Sequence, residues 1–173
     1  TAERLAAAGA AVTEVKLPAS FAGIHAAGRA VLEGEVATYH EELHRAHAAD
    51  YRPRTRALIE AGLAQRTVDY VRAQQARARF RADVMPVLAG CDALLSPTAP
   101  SAAPRGLEST GDPWFCAPWT FAGVPAVSLP AGIGGDGLPQ AVQLIAAPGG
   151  EAGLLGVAAW CEGVLGLGAS PRD

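Results

Sequence analysis

The chain has 173 residues, half of them hydrophobic and 18% charged, with a formal net charge of −3. That is enough for one domain with its own core; the acidic balance makes no general case for nucleic acid, and no apolar run is long enough to span a membrane. Three widely spaced cysteines, Cys91, Cys116 and Cys161, form neither a disulfide framework nor a cysteine zinc site, so a reducing, cytoplasmic setting is expected.

Residues 1–8 read as a short helix stopped at Gly9, with two charges that no signal peptide would carry. The chain begins at Thr1 and nothing polar or flexible precedes that helix, so a cut through a longer protein is expected. "AAVTEVKLP" places Val12, Val15 and Leu17 as a short strand ended by Pro18, giving an α/β rhythm. Residues 29–49 predict a helix whose apolar stripe is Leu32, Val36, Tyr39, Leu43 and Ala46. Pro53 ends or interrupts it, and a short helix over 55–61 is closed by Gly62. Thr67 is expected to cap a helix reaching about Val84, with Val71, Gln75, Ala78, Ala82 and Met85 buried.

A brief strand over 93–95 then enters a loop, residues 96–118, that holds five prolines. Loops this long inside a compact domain are functional or disordered, and Trp114, Phe115 and Trp119 argue that this one packs. "PAVSLPAGIGGDGLPQAVQLI" reads as two strands around a Gly-Asp-Gly turn. "EAGLLGVAAWCEGVLG" closes the chain as a helix with Leu154, Leu155, Ala158 and Cys161 on its apolar side.

Two motifs suggest chemistry. His40-Glu41-Glu42-Leu43-His44 spells the H-E-x-x-H of zinc proteases, in which residues i and i+4 share a helix face and the Glu activates zinc-bound water. A third ligand is needed. Asp50 points away on a continuous helix, while His47 and Glu60 remain candidates. The plainer reading is a solvated flank beside an apolar stripe. Gly132 to Gly137 spells G-x-G-x-x-G, but an apolar run follows where a dinucleotide site requires a helix N-terminus. Those glycines suit a turn that needs positive φ.

The other candidates are weaker. The arginines at 66, 72, 77, 79 and 81 fall on two sides of their helix and are diluted by Asp69 and Asp83, as solvated flanks are. Ser128 in "AVSLP" lacks the flanking glycines of a nucleophile elbow. Cys116 has no His nearby in sequence.

"DALLSPT", "FAGVPAVSLPAG" and "GLPQAVQLI", in that order and spacing, together with Glu151 to Leu155, resemble the C-terminal part of amidase signature enzymes. "AAAGAAVTEVKLP" is similar to the helix-strand unit that follows that family's catalytic core, and "VDYVRAQQARARF" to its long helix. The resemblance implies an α/β fold with a mixed sheet covered by helices. It makes residues 1–173 the C-terminal portion of an amidase domain whose catalytic half is absent.

It also implies hydrolysis of a small-molecule amide by a Ser-Ser-Lys triad, in which the Lys acts through a bridging Ser on the nucleophilic Ser, with no metal or organic cofactor, no nucleic acid and no membrane partner. This chain has no Gly-Gly-Ser-Ser stretch. Its single Lys, Lys16, matches no catalytic position, so no catalytic residue is assigned here and the missing N-terminal half would be the partner. Trp119 and Thr120 are the implied substrate contacts, although "WTFAG" stands where many relatives carry an Asn before the Gly. A non-catalytic partner domain of the same descent and a zinc hydrolase built on His40, Glu41 and His44 are the alternatives. If the parent sheet continues past this chain, the exposed strand edge and apolar face predict self-association.

Overall fold

A computed structural model of the chain describes residues 1–166. The last seven residues of the expected domain lie outside it. The elements in order are α1 (Ala2–Ala7), α2 (Ile24–His47), α3 (Pro53–Leu63), α4 (Thr67–Ala89), β1 (Leu94–Pro97), α5 (Ala117–Ala122), β2 (Ala126–Ile133), β3 (Pro139–Ile145) and α6 (Glu151–Leu165). They fall into two compact units, one of residues 19–82 and the other of residues 1–18 with those from 83 onward. Among the described residues no helix is long and apolar enough to cross a membrane.

The second of these units is built on the hairpin read from the sequence. β2 and β3 pair antiparallel from Ala126↔Ile145 to Ile133↔Pro139, with a bulge between Pro130 and Gly132. β1 pairs antiparallel with the other side of β3, from Leu94↔Ile145 to Pro97↔Val142, giving the order β1-β3-β2. The expected α/β class holds, and among the described residues the sheet has three strands, all antiparallel. The prolines sit where a missing N–H is harmless: at the end of β1, at the start of β3, and on the edge strand β2.

One sheet face packs on α6. Leu129 and Leu144 join Leu154, Ala158, Cys161 and Leu165, and Leu5 of α1 completes the cluster. Leu155, expected beside them, is exposed. Arg4 donates to the Leu165 carbonyl at 2.8 Å, placing a cation on the last turn of α6. Gly166 ends that helix in the left-handed region at φ 62°.

The glycines of the G-x-G-x-x-G stretch serve the hairpin turn. Gly132 (φ 148°) sits at the bulge and Gly137 (φ 78°) at the tip, while Gly134 N–H donates to the Leu138 carbonyl at 2.8 Å. The strand expected over Val12 to Leu17 does not form. Residues 10–18 carry no regular structure, and none of the three strands pairs with them. A strand is defined by its ladder, and alternating valines without a partner strand leave Val12 and Val15 exposed.

In the unit of residues 19–82, the helices are where the sequence places them and their faces are not. α2 starts five residues earlier than expected and buries Ile24, Ala27, Val31 and Ala37, while Leu32, Tyr39 and Leu43 face outward. The reason is the contact with α3. A Cβ on Gly62 would lie 1.9 Å from the Glu33 carbonyl oxygen and 2.6 Å from the Ala37 Cβ, so the two helices meet where side chains are smallest. Gly62 therefore lies inside α3, which caps at Ala64. Similarly, α4 runs past Val84 to Ala89 through Pro86, and it buries Ala73, Phe80, Val84 and Leu88 in place of the expected stripe. Val71 is exposed. Within this unit the Phe80 ring lies 5.9 Å from that of Phe21.

Gly62→Ala should force α2 and α3 apart and cost about 1–3 kcal/mol or more. By contrast, a Cβ on Gly163 of α6 meets nothing within 4 Å, so Gly163→Ala should stabilise by about 0.5–1 kcal/mol. Urea midpoints of the two variants would move in opposite directions.

Candidate functional site

Residues in register across a sheet share a face. Gln143 at the centre of β3 lies between Ser96 of β1 and Ser128 of β2, a polar row on the face opposite α6. Gln143 is 3% exposed, and a buried amide must find acceptors. Its NH₂ group reaches three: the Phe115 carbonyl at 2.7 Å, the Ser96 hydroxyl at 3.0 Å and the Pro97 carbonyl at 3.1 Å. Two protons serve three acceptors, so one bond is shared. The row thus ties the start of the proline-rich loop to its end.

Other bonds close the same loop. Thr98 N–H donates to the Ala141 carbonyl at 3.3 Å, extending the β1–β3 pairing. The Thr98 and Ser128 hydroxyls are 3.3 Å apart. The Cys116 thiol donates to the Thr98 carbonyl at 2.9 Å, and Asp112 Oδ1 accepts the Trp114 N–H at 3.0 Å, turning the chain into α5. The sequence reads residues 96–118 as loop throughout, and α5 begins at its end. α5 starts with a proline in its first turn and stops at Gly123, left-handed at φ 67°, whose N–H donates to the Thr120 carbonyl.

Trp119 and Thr120 occupy α5. Trp119 is 4% exposed and Thr120 is exposed. Beside the loop lies a cavity of about 540 Å³, lined among others by Thr98, Ser101, Pro104, Thr110, Asp112 and Gln140. Trp119 and Thr120 are not among its lining residues. The lining offers hydroxyls, an amide and one carboxylate, a set suited to binding. The Ser96 hydroxyl meets Gln143 and Pro97, and that of Ser128 meets Thr98; among the described residues neither meets a Lys or His that would activate it.

The H-E-x-x-H residues are engaged differently. His40 Nδ1 lies 3.0 Å from the Tyr51 hydroxyl, His44 Nε2 lies 3.8 Å from Glu60, and Glu41 pairs with Arg45 at 3.0 Å. His47 Nδ1 lies 3.5 Å from Asp50. Among the described residues, no three His, Cys, Asp or Glu side chains gather as a metal site. Gln143 is the residue that sequence reading passed over. Its signal is a lone polar side chain inside the apolar run "AVQLI", in a strand destined for the centre of a sheet.

Known proteins share this architecture. The family model described as Amidase matches residues 1–155. The chain is 40% identical over 111 residues to the glutamyl-tRNA(Gln) amidotransferase A subunit of Rhizorhabdus wittichii, covering 60% of this chain and 22% of that protein. The corresponding protein of Neisseria meningitidis serogroup C is 43% identical over 95 residues, covering 51% and 20%. A crystal structure described as an amidase superposes on 94% of this chain with a TM-score of 0.85 at 30% identity, using 39% of its own length. The glutamyl-tRNA(Gln) amidotransferase A subunit of Thermotoga maritima superposes on 88% with a TM-score of 0.64 at 26% identity, using 34% of its length. The chain therefore spans about a fifth of the first two proteins and under two fifths of the two structures.

Gln143→Leu removes the amide donors from this row, so the Phe115 carbonyl loses the amide and the Pro97 carbonyl keeps only the Ser96 hydroxyl. A loss of about 1–3 kcal/mol is expected, with cleavage inside residues 98–116 appearing early in limited proteolysis. For the cysteines, burial pushes the Cys161 thiol up, and burial with the neighbouring Asp92 carboxylate does the same for Cys91. A thiol with a raised pKa holds less thiolate at neutral pH. Labelling of exposed Cys91 should accelerate as pH rises past its ordinary range, while core-packed Cys161 should label only on unfolding; mass spectrometry of labelled peptides separates the two.

Proposed function

Because the chain belongs to the amidase family, we propose that it is the C-terminal portion of an enzyme that hydrolyses carboxylic amides, with its Ser-Ser-Lys triad in residues outside this chain. The observation that supports this most is the family match over residues 1–155, combined with the Ser96 and Ser128 hydroxyls, which meet no basic side chain among the described residues. In this reading the chain supplies a wall. The loop held by Gln143 and the helix α5 shape part of the substrate pocket. Thr120 offers its hydroxyl toward the amide, and Trp119, buried behind it, holds α5 in place.

The chemistry at the reacting bond belongs to the missing half. A Lys removes a proton from a bridging Ser, which in turn takes one from the nucleophilic Ser as that oxygen attacks the amide carbon. Backbone N–H groups hold the oxyanion. The intermediate collapses as the C–N bond breaks, the ammonia or amine leaves with a proton returned through the bridging Ser, and water then hydrolyses the acyl-enzyme to the acid. No metal or organic cofactor enters these steps. The missing half and a small-molecule amide are the partners, in a cytoplasmic setting with no nucleic acid or membrane involved.

The test compares this chain alone with the product of any longer reading frame found to include residues upstream of Thr1, both assayed for ammonia or amine release from a panel of carboxylic amides. The chain alone should show no turnover. The longer product should be active and should lose activity by about 10³-fold or more when the nucleophilic Ser is changed to Ala. Serine-dependent turnover by the chain alone would overturn the proposal. So would an upstream sequence with no Lys and no Gly/Ser-rich stretch, which would favour a non-catalytic partner domain.

A further inference from the structure

We propose that the outward face of α2 is a self-association surface, on which a second copy of this chain seats its own α2 parallel and in register. This stands apart from the hydrolytic reading and rests on the unit of residues 19–82 alone. Leu32, Val36, Tyr39, Leu43 and Ala46 follow one another at steps of four and three, the spacing of a two-stranded seam. Leu32, Tyr39 and Leu43 are 49%, 85% and 54% exposed. The helix satisfies its own packing on the other side, through Ile24, Ala27, Val31 and Ala37.

The flanks of the seam identify the occupant. With Val36 and Leu43 at heptad position a and Leu32, Tyr39 and Ala46 at d, Glu35 and Glu42 fall at g, and His40 and His47 at e, preceded by Glu33 at the first e, which a parallel partner would meet with Gly28. One flank is acidic and the other carries imidazoles. In a parallel pair each g side chain meets the e side chain five residues further along the other copy. That sets Glu35 against the partner's His40 and Glu42 against the partner's His47. An antiparallel pair would set the acidic flank against itself.

The chain's own pairs on α2 use different acids, Glu33 with Arg29 and Glu41 with Arg45, and leave Glu35 and Glu42 exposed. The imidazoles present a usable edge. His40 and His47 meet Tyr51 and Asp50 through Nδ1, so the partner's carboxylate would use Nε2. Along that flank, His40, Leu43, His47, Asp50 and Tyr51 line a shallow notch of about 430 Å³ that has room for one. A seam of two heptads buries less than the roughly 1,200 Å² of a standard interface, so the dimer is weak and exchanges with monomer.

Sedimentation velocity of the full chain over a wide concentration range tests this. A reversible monomer–dimer equilibrium is expected. Tyr39→Glu should weaken it at least tenfold while leaving the far-UV spectrum unchanged, and the melting temperature unchanged at dilutions where both proteins are monomeric, because the side chain it replaces is exposed. Glu42→Lys should weaken it as well, and adding His47→Glu to that variant should restore it. Register is read from Leu32→Cys in a Cys91→Ser, Cys116→Ser background. In a parallel pair position 32 meets itself, so oxidation should give a covalent dimer. Three results would overturn the proposal: a monomer at every concentration, association indifferent to Tyr39→Glu, or a dimer that Leu32→Cys fails to cross-link. A face that binds only a different polypeptide would give the first of these.

Discussion

The side-chain amide of Gln143 lies where β1, β3 and the approach to α5 converge, and the path of residues 97–123 follows from the protons it donates. Burying an amide without partners is costly, so the row is stable only when all its acceptors are in place. The loop end, the helix start and the edge of the sheet are therefore set together. An apolar residue at 143 would suit the strand equally well and would leave the loop with no fixed course over the sheet. The position of Thr120 depends on this bond network, through an α5 that begins one residue after Cys116.

The parts of the fold that could be read in the sequence are those governed by local chemistry. The 126–145 hairpin announces itself through two apolar runs and a turn of glycines and Asp, and α6 through its periodicity and terminal Gly. The inward faces of α2 and α4 could not be read in the same way. Hydrophobic periodicity finds the most apolar stripe, but the contact between α2 and α3 is governed by the least bulky one, with Gly62 against Glu33 and Ala37. Residues 10–18 fail for a different reason. Their pattern fits a strand, and a strand forms only where another stands beside it.

Of the candidate site, the resemblance locates the region and the structure supplies its internal logic. Gln143 carries no motif, and its importance appears only when β1 and β2 bring Ser96 and Ser128 to either side of it. The two motifs that are conspicuous in the sequence are engaged in other contacts in the structure. H-E-x-x-H lies on a helix whose histidines turn to Tyr51 and Glu60, and G-x-G-x-x-G caps a hairpin with no helix behind it. A catalytic signature is a statement about surroundings, and four or six letters do not carry the surroundings with them.

The bond from Arg4 to the Leu165 carbonyl joins residues 161 apart in the chain. Leu5 enters the same cluster as Leu165. During synthesis at about 5–20 residues per second, α1 therefore leaves the ribosome roughly ten to thirty seconds before its partner exists. Over that interval Leu5 has no native place to go. If α1 docks only after α6 has formed, its contribution enters the unfolding rate more than the folding rate. Destabilising α1 should thus shorten the lifetime of the folded unit while leaving the speed of its assembly almost unchanged.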